Sequence, residues 1–135
     1  MRTLDPEALR RAEAALAALE HRYIEWAEAD CARLEAAWTA WAADPEREAA
    51  GLRPVFSVAH DMKGQAATFG YPLVGSLANR LCRAIDSAGA DQPDPKRQAR
   101  LAALVAAIGQ AIRERLSGDG GAAGAALLAG LDDPD

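Results

Sequence analysis

The chain has 135 residues, with 20 acidic against 15 basic side chains and a formal net charge of −5. That balance argues against a duplex-binding surface, which needs clustered basic residues, and no apolar run approaches the ~18 residues of a membrane span. Cys31 and Cys82 are too few for a disulfide framework and lack metal-ligand spacing, so a single reduced domain is expected, cytoplasmic, with neither nucleic acid nor membrane as partner. About a quarter of the residues are Ala, which forms helices readily but buries little, so the few large side chains must carry the core.

Asp5-Pro6-Glu7 reads as a helix start, with an N-cap aspartate, proline at the first helical position and an acidic first turn. The same device recurs at Asp44-Pro45-Glu46 and at Asp94-Pro95. From Leu9 the apolar positions run Ala12, Leu16, Leu19, Tyr23, Trp26, Leu34, Trp38 and Trp41, a helical stripe without Gly or Pro between Pro6 and Pro45. A single helix of that length would span ~55 Å, more than a small bundle is tall, so a break is expected near residues 20–22. Trp26, Trp38 and Trp41 are expected in the core, where each could bury ~150–250 Å².

A short helical turn over 45–51 precedes the next helix, which begins near Arg53-Pro54 and runs to Phe69 with a core stripe of Val55, Ala59, Met62, Ala66 and Phe69. Gly70 stands where a left-handed cap is wanted, and Pro72 opens a helix carrying Val74, Leu77, Leu81 and Ile85 that ends before Gly89. A loop over 90–95 leads to the last long helix, with Leu101, Leu104, Val105, Ile108, Ile112 and Leu116. The expected fold class is all-α, an antiparallel four-helix bundle with an additional N-terminal helical segment. Residues 1–117 form its one domain, and the Gly-rich stretch 118–135 reads as a flexible C-terminal tail, with a helical turn possible over 125–131.

Of two histidines, His21 lies among Glu20, Arg22 and Glu25 and reads as solvated surface. His60 sits just off the core stripe of its helix, and Lys63, Gly64 and Ala67 share its face. Glycine inside a helix costs about 1 kcal/mol relative to alanine, so in an alanine-rich chain Gly64 points to close approach of another body beside His60. Lys63, one of two lysines against thirteen arginines, would hold a dianionic phosphoryl group on the ring by opposite charge.

The run from His60-Asp61-Met62-Lys63-Gly64-Gln65 through Ala66-Ala67-Thr68-Phe69-Gly70 resembles the H-x-x-K-G-x5-G signature of histidine-containing phosphotransfer (HPt) domains. These are helical bundles of two-component phosphorelays in bacteria. The resemblance implies that His60 is the phosphoacceptor, that Lys63 stabilises the phosphoryl group, that Gly64 clears space for the partner and that Gly70 caps the helix. Many relatives place a glutamine about 22 residues after the histidine to hydrogen-bond the imidazole. Here that position is Cys82, a weak donor, which leaves Asn79 and Gln65 as alternatives for orienting the ring.

The implied partners are receiver domains of response regulators or hybrid histidine kinases. Arg80 and Arg83 would form a basic rim for them, and Phe56, Gly64, Ala67 and Asn79 would complete the docking face. No G-x-x-x-x-G-K-[ST] loop or kinase signature occurs, so no kinase or ATP-binding activity is expected of the chain itself. No cofactor of its own is expected either, Mg²⁺ belonging to the receiver. A monomer is expected. The rival reading is a non-catalytic helical adaptor or dimerisation module whose long Trp-bearing helix pairs with a partner.

Overall fold

The structure, a computed structural model, describes residues 5–87 and 94–131. It is all-helical, with five α-helices and no strand among the described residues: α1 (Pro6–Ala43), α2 (Arg53–Ala66), α3 (Pro72–Ser87), α4 (Pro95–Arg113) and α5 (Gly121–Leu131). A 3-10 turn, Ala49–Leu52, leads into α2. Helix α2 packs against α3 and α1, and α4 against α3 and α1, so the first four helices close a ring of contacts; α5 packs against α4. Leu34, Leu52, Val55, Val74, Leu77, Leu81, Leu101 and Ile108 are fully buried. At about 1.5–3 kcal/mol each, they supply most of the drive that the small alanines do not.

Two of the three expected aspartate caps hold helices. Asp5 accepts from the Glu7 amide at 3.2 Å, and Asp94 from the Arg97 amide at 2.8 Å. Asp44 accepts from the Glu46 amide at 2.9 Å but closes only a turn; it caps the end of α1. The link that follows is held by Trp41, whose indole N–H donates to the Glu48 carbonyl at 2.9 Å. A Cβ on Gly51 would lie 2.9 Å from the Trp41 ring, so glycine lets the chain pass close over it.

The expected break in the first helix does not occur. α1 runs unbroken for 38 residues, about 57 Å. Its first buried residue is Tyr23, so residues 6–22 project beyond the bundle, and Leu9, Leu16 and Leu19 of the expected core stripe are exposed. Bundle height did not force a bend because an alanine-rich helix, once nucleated by packing further along, propagates without tertiary cover. The aromatic residues divide likewise: Trp41 is buried and Trp38 half-buried against it at 5.4 Å, whereas Trp26 is 52% exposed. Trp26 touches only the edge of the bundle, meeting Phe69 edge-on at 6.5 Å.

α2 begins at Arg53 as expected but ends at Ala66, three residues short of Phe69. The chain leaves it through Gly70 at φ +85°, and the Tyr71 amide donates to the Ala66 carbonyl at 2.9 Å, the bond pattern of a left-handed glycine cap. Phe69 and Tyr71 stack on Tyr23 of α1 at 5.2 and 4.9 Å, fixing the turn to the bundle.

The stretch read as a tail is structured over 121–131, where α5 lays Leu127, Leu128 and Leu131 against the core. Asp119 accepts from the Gly121 amide at 2.9 Å and starts this helix. Its connection is tied to the Gly70 turn, because the Gly118 amide donates to the Gly70 carbonyl (2.9 Å) and the Leu73 amide to the Gly118 carbonyl (3.1 Å). Glycine content suggested looseness, but here it supplies positive φ at Gly118, Gly120 and Gly121 for a tight corner, after which Ala and Leu resume a helix. The loop over 90–95 and residues 132–135 lie outside the described residues, save Asp94 and Pro95.

Helix α4 ends with the same cap geometry as α2 but without glycine. Arg115 sits at φ 51°, and the Leu116 amide donates to the Ala111 carbonyl at 2.9 Å. An exposed arginine in the left-handed region carries strain of about 1 kcal/mol. Arg115→Gly is therefore expected to raise the urea midpoint, corresponding to a gain of about 1 kcal/mol; a lowered midpoint would contradict the cap geometry.

Candidate functional site

The core stripe of α2 fixes what the rest of that helix presents. Val55, Ala59, Met62 and Ala66 are buried, as their spacing requires, so residues about 100° away must face water. His60, Lys63, Gly64, Gln65 and Ala67 are all exposed. His60, Lys63 and Gly64 form one continuous surface on the outer face of α2, with Ala67 continuing it into the turn.

Among the described residues the His60 imidazole makes no hydrogen bond. Its ring contact is with Phe56, one turn earlier, stacked at a centroid separation of 6.0 Å and an interplanar angle of 23°. Phe56 is half-buried, and the Arg53 guanidinium lies 5.4 Å from its ring centre. The imidazole thus has an aromatic neighbour on its own helix and makes no hydrogen bond among the described residues.

Gly64 has no packing role among the described residues. A Cβ built there meets nothing within 4 Å, and Gly64 has no positive φ that would demand glycine. Gly75 behaves differently. A Cβ there would meet the Ala66 Cβ and the Lys63 carbonyl at 3.6 Å, so its small size brings α3 close to α2 just below Lys63. A Cβ at Gly109 would crowd the Glu35–Arg113 ion pair that joins α1 to α4, 2.7 Å from Glu35 Oε1. Of the helical glycines facing water near His60, Gly64 alone leaves open space.

Neighbouring α3 supplies the second wall. Gly75 faces Lys63, Ala66 and Ala67, while Cys82 reaches Phe56, its Sγ 3.9 Å from the Phe56 carbonyl. The level of His60 therefore falls between them, at Asn79. The Cys82 thiol donates to the backbone of Phe56, and no hydrogen bond joins it to His60 among the described residues. Asn79 and Gln65 are near in level, yet neither hydrogen-bonds His60 among the described residues. Burial pushes the Cys82 thiol up, partly offset by the positive charge of Lys63. Burial and the neighbouring Glu35 carboxylate push the Cys31 thiol up to about 11. Both cysteines are accordingly held as thiols, not as nucleophilic thiolates. Arg80 is half-buried and engaged in an interaction, and Arg83 is exposed, so the α3 side of the site carries cations.

His21 is exposed and pairs with Glu25 at 3.0 Å on the protruding part of α1. It has no lysine, glycine or aromatic neighbour comparable to those of His60. The ring stack of Phe56 on His60 is the feature sequence reasoning missed: Phe56 was legible as a face neighbour, four residues before His60, but read as a docking residue. No helix among the described residues is long and apolar enough to cross a membrane.

The scaffold exposes His60 beside a lysine and a glycine position with open space over it. The family profile described as "Hpt domain" matches residues 18–111, and the chain belongs to that family. Searches of the curated proteins and of the solved structures found no significant match. Membership indicates a histidine phosphotransfer role in phosphorelays, in which Hpt domains interact with receiver domains. The matched span excludes α5 and the first turns of α1.

The vacancy at Gly64 carries a direct test. Gly64→Ala is expected to stabilise the fold by up to about 1 kcal/mol, because helix propensity improves and no contact is violated. Chemical denaturation checks this, and a loss of stability would mean that the position has an internal role.

Proposed function

We propose that His60 accepts a phosphoryl group from the phospho-aspartate of one receiver domain and passes it to the aspartate of another. The single observation that carries this reading is the open surface around Gly64, next to an exposed imidazole that makes no hydrogen bond among the described residues. Glycine there weakens the helix without improving any packing, which is the pattern expected where space is kept for another body. The antiparallel four-helix arrangement of the family accounts for α1–α4 and their closed ring of contacts. The site draws on α2 and α3 of one chain, which fits a monomer.

In the transfer, the unprotonated imidazole nitrogen of His60 attacks phosphorus. The N–P bond forms as the bond from phosphorus to the carboxylate oxygen breaks, and that oxygen leaves with the electron pair. The ring keeps its proton on the other nitrogen, and the reverse sequence delivers phosphate to the next receiver. Little covalent work falls to the protein, so positioning and charge decide the rate. Lys63 would offset the phosphoryl charge, and Mg²⁺ would be held by the receiver's carboxylates. Arg80 and Arg83 would meet that acidic pocket, raising association rate more than affinity. Phe56, Ala67 and Asn79 flank the same face.

Radiolabelled phosphate supplied from receiver domains phosphorylated with acetyl phosphate is expected to label the wild type with an acid-labile, base-stable bond. His60→Gln should fold normally and remain unlabelled. Equal labelling of that variant would remove His60 from the reaction. Gly64→Glu should retain helix content and slow transfer by blocking approach; unchanged kinetics would contradict the docking geometry.

A further inference from the structure

We infer that Phe56 is the positioning residue for the His60 imidazole, replacing by ring stacking the hydrogen bond that the site lacks. The inference rests on the proposed role of His60 and adds how that ring is aimed. Three observations support it. The ring of Phe56 stacks on that of His60 at 6.0 Å and 23°, and this is the one aromatic contact of the imidazole among the described residues. The Phe56 ring has a second neighbour on the same helix, the Arg53 guanidinium over it at 5.4 Å from its centre. Finally, the polar side chains able to orient an imidazole, Gln65 and Asn79, make no hydrogen bond to it.

The physics of a stack differs from that of a hydrogen bond. A bond to one ring nitrogen selects a tautomer and occupies that nitrogen. A stack restricts rotation of the ring and covers one face, yet leaves both nitrogens uncovered. Such a site presents its nucleophilic edge at a defined angle while either tautomer can exchange with solvent. Arg53, Phe56 and His60 follow one another at helical spacings of three and four residues, so the arrangement is built entirely on one rigid element. Position 82 carries no hydrogen bond to the histidine among the described residues, and Cys82 packs against the backbone of Phe56.

Positioning and docking predict different kinetics. With a receiver domain phosphorylated by acetyl phosphate as donor, Phe56→Leu is expected to lower the maximal transfer rate about fivefold, the size of one aromatic pair contact. The receiver concentration at half-saturation should stay unchanged, and Phe56→Tyr should restore the rate. In proton NMR of the unphosphorylated chain, the His60 ring protons should show a ring-current displacement that Phe56→Leu abolishes and Phe56→Tyr keeps. A raised half-saturation with an unchanged maximal rate would make Phe56 a docking residue and overturn the inference, as would an unchanged rate. Absence of the ring-current displacement in the wild type would overturn it without any transfer assay. Failure of the underlying reading looks different: labelling would be absent from the wild type or would persist in His60→Gln, while the NMR measurement still decides the stack.

Discussion

The corner at Gly70 sets the register between α2 and α3, and the site is a consequence of that register. The left-handed backbone at Gly70 and the bond from the Tyr71 amide to the Ala66 carbonyl allow one way of turning from the first helix into the second. From there, Gly75 falls opposite Lys63 and Ala67, Asn79 falls at the level of His60, and Cys82 at that of Phe56. The corner is braced on both sides, by the stacking of Phe69 and Tyr71 on Tyr23 and by the backbone bonds exchanged with Gly118. A change there would rotate or slide the whole face that carries His60.

On α2 itself, stability and function occupy different faces. Val55, Ala59, Met62 and Ala66 are buried and hold the helix to the bundle. The opposite face carries an unbonded imidazole, a lysine and a glycine with nothing over it, features that contribute little to folding. A rigid helix lets such a face be kept at modest cost, about 1 kcal/mol for the glycine. The exposed imidazole is placed by the packing of its neighbours on the other side.

Periodicity made the buried stripes of α2, α3 and α4 legible, and the spacing of His60, Lys63, Gly64 and Gly70 singled out the candidate site. What it could not reveal was how far a helix continues once packing stops. The apolar stripe through Leu9, Leu16 and Leu19 looks like core, yet those residues lie beyond the first buried position of α1, because alanine propensity alone sustains that part of the helix. Gly-rich composition likewise hid α5, whose glycines serve a corner and not a flexible tail. At the site, spacing left Cys82, Asn79 and Gln65 open as partners of the imidazole; the contact of the Cys82 thiol with the Phe56 carbonyl could not be read from spacing. Ring stacking depends on side-chain rotamers, which spacing does not determine.

The most direct measurement uses the two histidines against each other. With ¹⁵N-labelled protein phosphorylated by a receiver domain, NMR of the imidazole nitrogens reports which ring carries phosphorus. Both His21 and His60 are exposed, so access alone does not favour either. The account predicts the change at His60 with His21 unmoved. Phosphorus on His21, or on neither ring in a protein that has demonstrably taken up phosphate, would contradict it.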